Sequence, residues 1–252
     1  MKNGTEIQDT KKIVVDPRGG HNRYKFNERF FTKWTPKMAY VLGFLYADGN
    51  ITDSIPSRTQ YIKFTSIDKE ILKKIKLALK SKHQIYSTPP RLVRHRNGEY
   101  LSRKSFTLRI GSRKMFSNLI NIGVVTNKSK IAILPNIPVD FLNHFTRGYF
   151  DGDGCVYVEY GKEKTKKKIA KRLRIIFTSG SKRYLEELNW AISKSINAQK
   201  GGIYTGQRAF NLVYPTRTST NLFKYMYNDA NGLFLKRKYD KFQKYFKIKG
   251  IM

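Results

Sequence analysis

Two stretches of nine residues with the same pattern constrain the fold of this chain more than any other feature. The first is Val41-Leu-Gly-Phe-Leu-Tyr-Ala-Asp-Gly49, and the second is Thr146-Arg-Gly-Tyr-Phe-Asp-Gly-Asp-Gly154. Each is mostly apolar over one or two helical turns and ends in a small residue, an aspartate and a glycine. A pattern that occurs once in each half predicts a duplicated architecture.

Small residues recur four positions apart in both stretches. The pairs are Gly43 with Ala47 and Gly148 with Gly152. Residues separated by four positions share one face of a helix, so each helix presents a strip with almost no side chain. Two such strips allow two helix backbones to approach each other very closely. We therefore expect the two segments to pack against each other as helices.

The two aspartates, Asp48 and Asp153, would then lie at neighbouring helix ends. We expect Gly49 and Gly154 to end the helices in the left-handed conformation. An acid is unfavourable there, because a helix C-terminus carries partial negative charge and neighbouring carboxylates repel each other. A bound divalent cation would account for the pair.

These nonapeptides resemble the paired motifs of the LAGLIDADG homing endonucleases. The second is the closer match, whereas the first has Tyr46 where the second has the acid Asp151. The essential acid of that family is the eighth residue, which both stretches keep. The resemblance covers residues from about 34 to 245. It implies motif helices at the interface between two halves and antiparallel sheets that form a saddle over DNA.

The composition points independently to a polyanionic partner. The chain has 252 residues, 50 Lys plus Arg against 18 Asp plus Glu, and a formal net charge of +32. Nucleic acid is the first expectation and anionic membrane the alternative. The longest apolar run, Met38 to Ala47, is too short to span a bilayer. A single cysteine, Cys155, excludes an intrachain disulfide, and we expect it to pack as a small apolar residue. These features predict an intracellular protein of the cytoplasm, nucleoid or organelle matrix, without a membrane partner.

The order of sequence patterns predicts an α+β fold of two αββαββα repeats, and the resemblance implies that they are related by a pseudo-twofold axis and have saddle-shaped antiparallel sheets. We divide the chain into a basic N-terminal arm (1–33), a first repeat (34–134), a linker (135–140) and a second repeat (141–252). Thr35-Pro36 is a typical helix start. Asn97-Gly98 predicts a hairpin between strands 91–96 and 99–110. Asp68 and Ser181 precede helices as N-caps.

Basic and polar side chains alternate with apolar ones along several of the expected strands, which predicts half-polar sheets that could lie in a DNA groove. A solvated sheet face is the alternative interpretation of each such residue. The candidate DNA-binding residues are Tyr61, Lys63, Thr65, Arg94, Arg96, Thr107, Arg109, Arg172, Arg174, Thr178 and Asn211.

The acids Asp48 and Asp153 are the candidate catalytic metal ligands, because carboxylate oxygens suit Mg²⁺ and divalent metal assists phosphodiester hydrolysis. The resemblance adds the backbone carbonyls of Ala47 and Gly152 as ligands. It also implies an active-site lysine in each half. The candidates lie in two basic loops, as Lys128 or Lys130 and as Lys236 or Lys238, and we choose Lys128 and Lys238. We expect Mn²⁺ to substitute for Mg²⁺ and Ca²⁺ to support binding without cutting.

The leading function is a monomeric, site-specific double-strand DNA homing endonuclease that hydrolyses one phosphodiester per strand and leaves staggered ends. An intron maturase that binds RNA is a second possibility, although it needs no carboxylate pair. A non-cleaving DNA-binding regulator is a third, of which loss of an acid would be the sign. Neither Asp48 nor Asp153 is lost.

Overall fold

A computed structural model describes residues 15–16, 20–21, 24–54, 59–95, 98–126, 131–162 and 168–251. Within these ranges the chain forms seven helices and twelve strands. The helices are α1 (Pro36–Asp48), α2 (Lys69–Ala78), α3 (Arg113–Asn121), α4 (Val139–Asp153), α5 (Lys182–Ser195), α6 (Thr216–Tyr227) and α7 (Lys236–Lys249). The strands are β1 (Val15–Asp16), β2 (Gly20–His21), β3 (Gly49–Ser54), β4 (Thr59–Ser66), β5 (Ile85–Thr88), β6 (Leu92–His95), β7 (Gly98–Leu101), β8 (Ser105–Gly111), β9 (Gly154–Lys162), β10 (Lys168–Ser179), β11 (Gly202–Thr205) and β12 (Phe210–Tyr214).

The expected repeat is confirmed by two antiparallel sheets of equivalent strand order. The first sheet has the order β3-β4-β8-β5, and the second has the order β9-β10-β12-β11. Both follow from the same succession of helix, two strands, helix, two strands and helix. The first repeat adds the separate hairpin β6-β7, and the second adds α7 at its end.

The strand prediction for residues 99–110 was wrong, because this run is two strands in two sheets. Among the strands that the structure describes, β7 pairs only with β6, whereas β8 pairs with β4 and β5. The alternation of apolar residues that signalled a strand is confined to the β8 part. The prediction also missed β5, a short strand at the edge of the first sheet.

Part of the expected N-terminal arm, residues 24–33, packs on the rest of the protein. Phe30 is 8% exposed and Phe31 is 2% exposed, and both belong to the core. The backbone nitrogen of Asn27 donates to the carbonyl oxygen of Leu79, at the end of α2. Residues 24–33 therefore pack on the first repeat, because two adjacent phenylalanines gain more from burial than from lying on a charged surface.

One continuous core joins the two halves. One face of each sheet is covered by helices, with Ile62 and Phe64 of β4 and Ile175 and Phe177 of β10 completely buried. α1 and α4 pack on each other at the centre. None of the described helices has both the length and the apolar composition needed to cross a bilayer.

Candidate functional site

The crossing of α1 and α4 brings their C-terminal ends together. A Cβ added at Gly43 would overlap the carbonyl oxygen of Phe145, and one at Gly148 would overlap that of Tyr40. A Cβ at Gly152 would overlap the Cβ of Ala47 and lie 3.3 Å from the backbone nitrogen of Asp48. The expected contact of two small-residue strips is confirmed.

Both motif aspartates lie at the last position of their helices, and both are exposed. Asp48 ends α1 and Asp153 ends α4. The next residue of each chain segment begins the edge strand β3 or β9. The acid pair therefore lies where the central helix crossing meets the edges of the two sheets.

The left-handed conformation expected for the two motif glycines was wrong. Gly49 has φ −104° and Gly154 has φ −90°, which is extended backbone that any residue can adopt. The reason for glycine is space instead. A Cβ at Gly49 would lie 2.7 Å from the carbonyl oxygen of Leu45, and one at Gly154 would overlap that of Phe150. The chain turns directly from helix into strand over the last carbonyls of the helix.

The sixth motif position differs in chemistry between the halves. Asp151 is 1% exposed and accepts hydrogen bonds from the Tyr40 hydroxyl at 2.7 Å and the Leu235 backbone nitrogen at 2.8 Å. Burial raises the pKa of its carboxyl, while the Tyr40 hydrogen bond and the Lys238 charge oppose that shift. At the equivalent position, the Tyr46 hydroxyl donates to the Gly123 carbonyl at 3.1 Å. Each side chain thus ties its motif helix to the segment that follows the last helix of the αββαββα unit, which is α3 in the first half and α6 in the second.

A buried arginine reinforces this attachment in the second half. Arg147 is 1% exposed, and its guanidinium donates to the carbonyl oxygens of Met226 and Leu233. It also lies 3.1 Å from Nδ1 of His144. An arginine can only donate, so Nδ1 must be unprotonated. Burial and then the Arg147 charge accordingly lower the pKa of His144 to about 4.

Lys238 lies on α7 and not in a basic loop, which corrects the expected position of this lysine. It is 5% exposed, and its ammonium donates to the carbonyl oxygens of Phe150, Asp151 and Gly152 at 2.6, 2.8 and 3.0 Å. All three of its protons are thereby directed to the C-terminal end of α4. Burial lowers its pKa to about 8, although the charges of Asp151, Asp48 and Asp153 raise it. Lys238 is close to the acid pair, but its amine is committed to helix carbonyls.

The other candidates near the acids are placed as follows. Lys236 forms an exposed ion pair with Asp240 along α7. Lys128 and Lys130 lie outside the described residues. The Asp68 side chain makes no cap hydrogen bond and instead accepts from Arg237 Nε at 3.0 Å, so its capping role was wrong. Ser181 does cap α5, and its hydroxyl donates to the Ala132 carbonyl.

The open face of the first sheet carries five of the candidate DNA-binding residues. Lys63 lies opposite Arg109 and Thr65 lies opposite Thr107 across the β4-β8 pair, and Tyr61 is two residues from Lys63 on the same face. The Arg109 guanidinium stacks 3.8 Å from the centre of the Tyr61 ring. Because the alternate residues Ile62 and Phe64 are buried, this face is the one that is free to meet a ligand.

The second sheet has an equivalent open face, with a groove of about 830 Å³. Arg174, Thr178 and Asn211 line it, and the Thr178 hydroxyl donates to the Asn211 side chain at 2.9 Å. Arg172 is on the same side of β10 and lies 3.8 Å from Glu159. The expected packing of Cys155 was wrong, since it is exposed and lines this groove.

Several open-face residues were missed because the sequence analysis did not assign residues to the edge strands of the two repeats. They are Asn50 and Thr52 on β3, Tyr86 on β5, Tyr157 on β9 and Tyr204 on β11. For β3 and β9 the signal was present in the alternation that starts directly after each motif glycine. Arg94 lies on the separate β6-β7 hairpin, where it forms an ion pair with Glu99. Arg96 is outside the described residues.

The acid pair is suited to a divalent cation that also binds other oxygen ligands. In the described ranges, no group of three or more His, Cys, Asp or Glu side chains could hold a metal ion. Two carboxylates would therefore need oxygens from a substrate and from water to complete an octahedron. The Gly152 carbonyl, an expected ligand, already accepts a hydrogen bond from Lys238.

The site thus consists of two helices in contact, each ending in an aspartate, between two sheets with open, basic faces. These features together define the class of architecture to which the protein belongs. A family model described as a LAGLIDADG-like domain matches residues 35–119. That range comprises α1 and most of the first repeat. No match was found among curated proteins.

Solved structures extend the similarity to nearly the whole chain. The I-LtrWI LAGLIDADG homing endonuclease bound to target DNA aligns with 12% identity and a TM-score of 0.56, over 89% of this chain and 92% of that one. The LAGLIDADG meganuclease I-CpaMI bound to uncleaved DNA aligns with 14% identity and a TM-score of 0.54, over 87% and 99%. Residues 35–119 therefore match a LAGLIDADG-like domain, and the chain has the fold of the LAGLIDADG homing endonucleases.

Proposed function

We propose that this protein is a site-specific DNA endonuclease that uses a divalent metal, Mg²⁺ in the first instance, to hydrolyse one phosphodiester in each strand. The observation that carries the proposal is the contact between α1 and α4. It places two exposed aspartates at adjacent helix ends, beside sheets whose open faces carry Arg, Lys and Thr. Each half would act on one strand, so a monomer would suffice and the ends would be staggered.

The position of each residue would determine its role in DNA binding or in cleavage. The open sheet faces would lie along the duplex, with Lys63, Arg109 and Arg174 meeting phosphates or base edges. Asp48 and Asp153 would hold the metal against the scissile phosphates, with the Ala47 carbonyl as a further ligand. Bound metal would supply activation of water and stabilisation of charge on the phosphate and the leaving oxygen. Lys238 would keep the end of α4, and with it Asp153, in place.

Retention of both acids favours cleavage over the two other functions that the fold could serve. An RNA-binding maturase or a non-cleaving DNA-binding regulator needs the basic faces but not a carboxylate pair. Folding alone does not explain two exposed acids at adjacent helix C-termini, where they repel each other and the partial negative charge of the helix ends.

The test is selection of cleaved duplexes from a randomised library in Mg²⁺, followed by cleavage assays on the selected site. Asp48→Asn and Asp153→Asn keep the side-chain shape and remove the charge. We expect each to abolish double-strand cutting while duplex binding in Ca²⁺ persists. Asp140→Asn is the matched control, because Asp140 is an exposed acid at the other end of α4.

Full cutting by the Asp48→Asn, Asp153→Asn double variant would refute the proposal. Tight duplex binding without cutting by the wild-type protein in Mg²⁺ or Mn²⁺ would indicate the regulator instead. Intron splicing that the double variant still assists would indicate the maturase.

A further inference from the structure

A small cavity lies directly beside Asp153, one of the two motif acids. Its volume is about 140 Å³. The lining residues come from both halves and include Tyr46 of the first half and Tyr149, Asp153 and Tyr184 of the second. A water molecule takes up about 30 Å³ in the liquid, so this cavity has room for several.

Three tyrosines line this cavity, and their hydroxyls differ in one respect. The Tyr46 hydroxyl donates to the Gly123 carbonyl, and the Tyr149 hydroxyl donates to the Thr178 carbonyl at 2.7 Å. Tyr184 is completely buried, and its hydroxyl has no hydrogen-bond partner among the residues that the structure describes. A buried hydroxyl without a partner carries a desolvation cost, so its environment calls for a ligand that can hydrogen-bond.

The electrostatics connect this hydroxyl to the acid. Burial raises the pKa of Tyr184, and the charges of Tyr149, Tyr46 and Asp153 raise it further. Tyr184 therefore lies within the field of the Asp153 carboxylate. The rings of Tyr149 and Tyr184 are 4.8 Å apart and those of Tyr46 and Tyr184 are 6.0 Å apart, which holds the Tyr184 ring in one orientation.

We propose that this cavity binds ordered water that links the Tyr184 hydroxyl to the Asp153 carboxylate, making Tyr184 a positioning residue for the second acid. This inference rests on the proposed endonuclease function. The hydroxyl offers one donor and two acceptor sites, so it can orient a water that in turn donates to the carboxylate. Tyr184 would therefore act through this water and Asp153, and its own side chain would not touch the substrate.

The hydroxyl at this position is a feature of the second half of the molecule. Ser181 and Asp68 occupy equivalent positions before α5 and α2, and three residues later the second half has Tyr184 where the first has Ile71. Ile71 is 1% exposed and carries no polar group. Loss of the Tyr184 hydroxyl is therefore expected to affect the cutting of one strand and not of the other.

The experiment is Tyr184→Phe in the full chain, with each DNA strand of the selected site labelled separately. We expect the single-turnover rate on one strand to fall about tenfold, the worth of one neutral hydrogen bond in the transition state. The rate on the other strand and duplex affinity in Ca²⁺ should stay unchanged, so nicked DNA should accumulate. Tyr225→Phe is the matched control, because it removes a buried hydroxyl on α6, away from the cavity.

Two results of this experiment would overturn the inference. Unchanged rates on both strands with a higher melting temperature would show that the hydroxyl lies in a dry cavity. Equal slowing of both strands with a lower melting temperature would show a purely structural role. A crystal structure of the wild-type complex with DNA and Ca²⁺ gives an independent measurement, in which ordered water within hydrogen-bond distance of Tyr184 Oη is expected and its absence contradicts the proposal.

Asp153→Asn separates this inference from the function on which it rests. If Asp153→Asn cuts like the wild type, the endonuclease proposal fails. If Asp153→Asn is inactive and Tyr184→Phe cuts both strands normally, only the role of Tyr184 is refuted.

Discussion

At the scale of single residues, the second half secures its motif helix with buried charge. Lys238, Arg147 and Asp151 each connect α4 to the segment from Met226 to α7. In the first motif the positions of Arg147 and Asp151 are taken by Leu42 and Tyr46. Buried charges are costly unless hydrogen-bonded. The bonds made by Lys238 and Arg147 to backbone carbonyls meet that requirement and hold the α4 end in a defined place.

Lys238→Met tests this attachment, because methionine keeps the apolar stem and removes the ammonium. Three carbonyl oxygens at the end of α4 would lose charge-assisted hydrogen bonds, so we expect unfolding free energy to fall by about 2–4 kcal/mol in urea denaturation. Cutting should weaken more than duplex binding. Lys241→Met is the control, since Lys241 is exposed on the same helix and should unfold like the wild type. Equal stability of the two variants would contradict the role of Lys238.

At the scale of elements, the crossing of α1 and α4 determines the distance between the acids. The backbones approach so closely that the Cβ positions of Gly43 and Gly148 would fall on carbonyl oxygens of the opposite helix. Packing of this kind has no flexible side chain that could move aside. A change in the crossing would therefore shift both helix ends, and with them Asp48 and Asp153.

Gly148→Ala is expected to force the helices apart. The added methyl would overlap the Tyr40 carbonyl and lie 2.9 Å from the backbone nitrogen of Phe44. Overpacking of this kind costs about 1–3 kcal/mol or more, and cutting should be lost with it. Gly202→Ala is the control for stability, because its methyl would meet only the end of the Tyr204 side chain. Wild-type melting and cutting by Gly148→Ala would show that the approach is looser than the structure indicates.

At the scale of the whole molecule, the two halves also contact each other outside the central helices. Arg237 of α7 pairs with Asp68 of the first half, and Lys74 of α2 donates to the Phe234 carbonyl. Glu187 of α5 accepts from the backbone nitrogen of Leu134, the last residue of the first repeat. These contacts join the two halves at places away from the crossing of α1 and α4. They hold the two open faces in a fixed arrangement relative to each other.

The net charge of +32 and the basic open faces predict strongly salt-dependent DNA binding. If six to ten phosphates are contacted, affinity should fall by about 10³ to 10⁵ between 50 and 200 mM salt. Lys63→Gln, on the open face, should reduce the slope of log affinity against log salt by about one. Lys73→Gln is the control, because α2 covers the opposite face of the same sheet and Lys73 pairs with Glu70. The same slope for both variants would contradict binding through the open face.

Particular residues show how much of the fold could be predicted from the sequence. The motif helices, their small-residue contact and the alternation in β4, β8 and β10 follow from local patterns, so they were predicted from sequence. The edge strands β5 and β11 were missed, because short exposed strands have little hydrophobic periodicity. Phe30 and Phe31 were assigned to an arm, because no local signal shows which distant surface will bury them.

The site was predictable to the same extent. Asp48 and Asp153 are marked by two matching motifs, whereas nothing near Lys238 in sequence shows that its amine meets three carbonyls 86 to 88 positions earlier in the chain. Asp68 was taken for a cap because caps are local, but its partner Arg237 comes from the other half. Only the structure shows that the buried Tyr184 hydroxyl has no hydrogen-bond partner among the described residues.

The sequence by itself determined that two similar halves fold with a pair of acid-tipped helices at their interface, because helical and strand periodicities are local properties. Only the tertiary structure decided which polar groups find partners across that interface. Nothing in the sequence distinguishes Lys238, Asp151 and Tyr184 from the other lysines, aspartates and tyrosines of the chain. Their roles depend on the distant oxygens, amides and cavities that the packing of α4 places beside them.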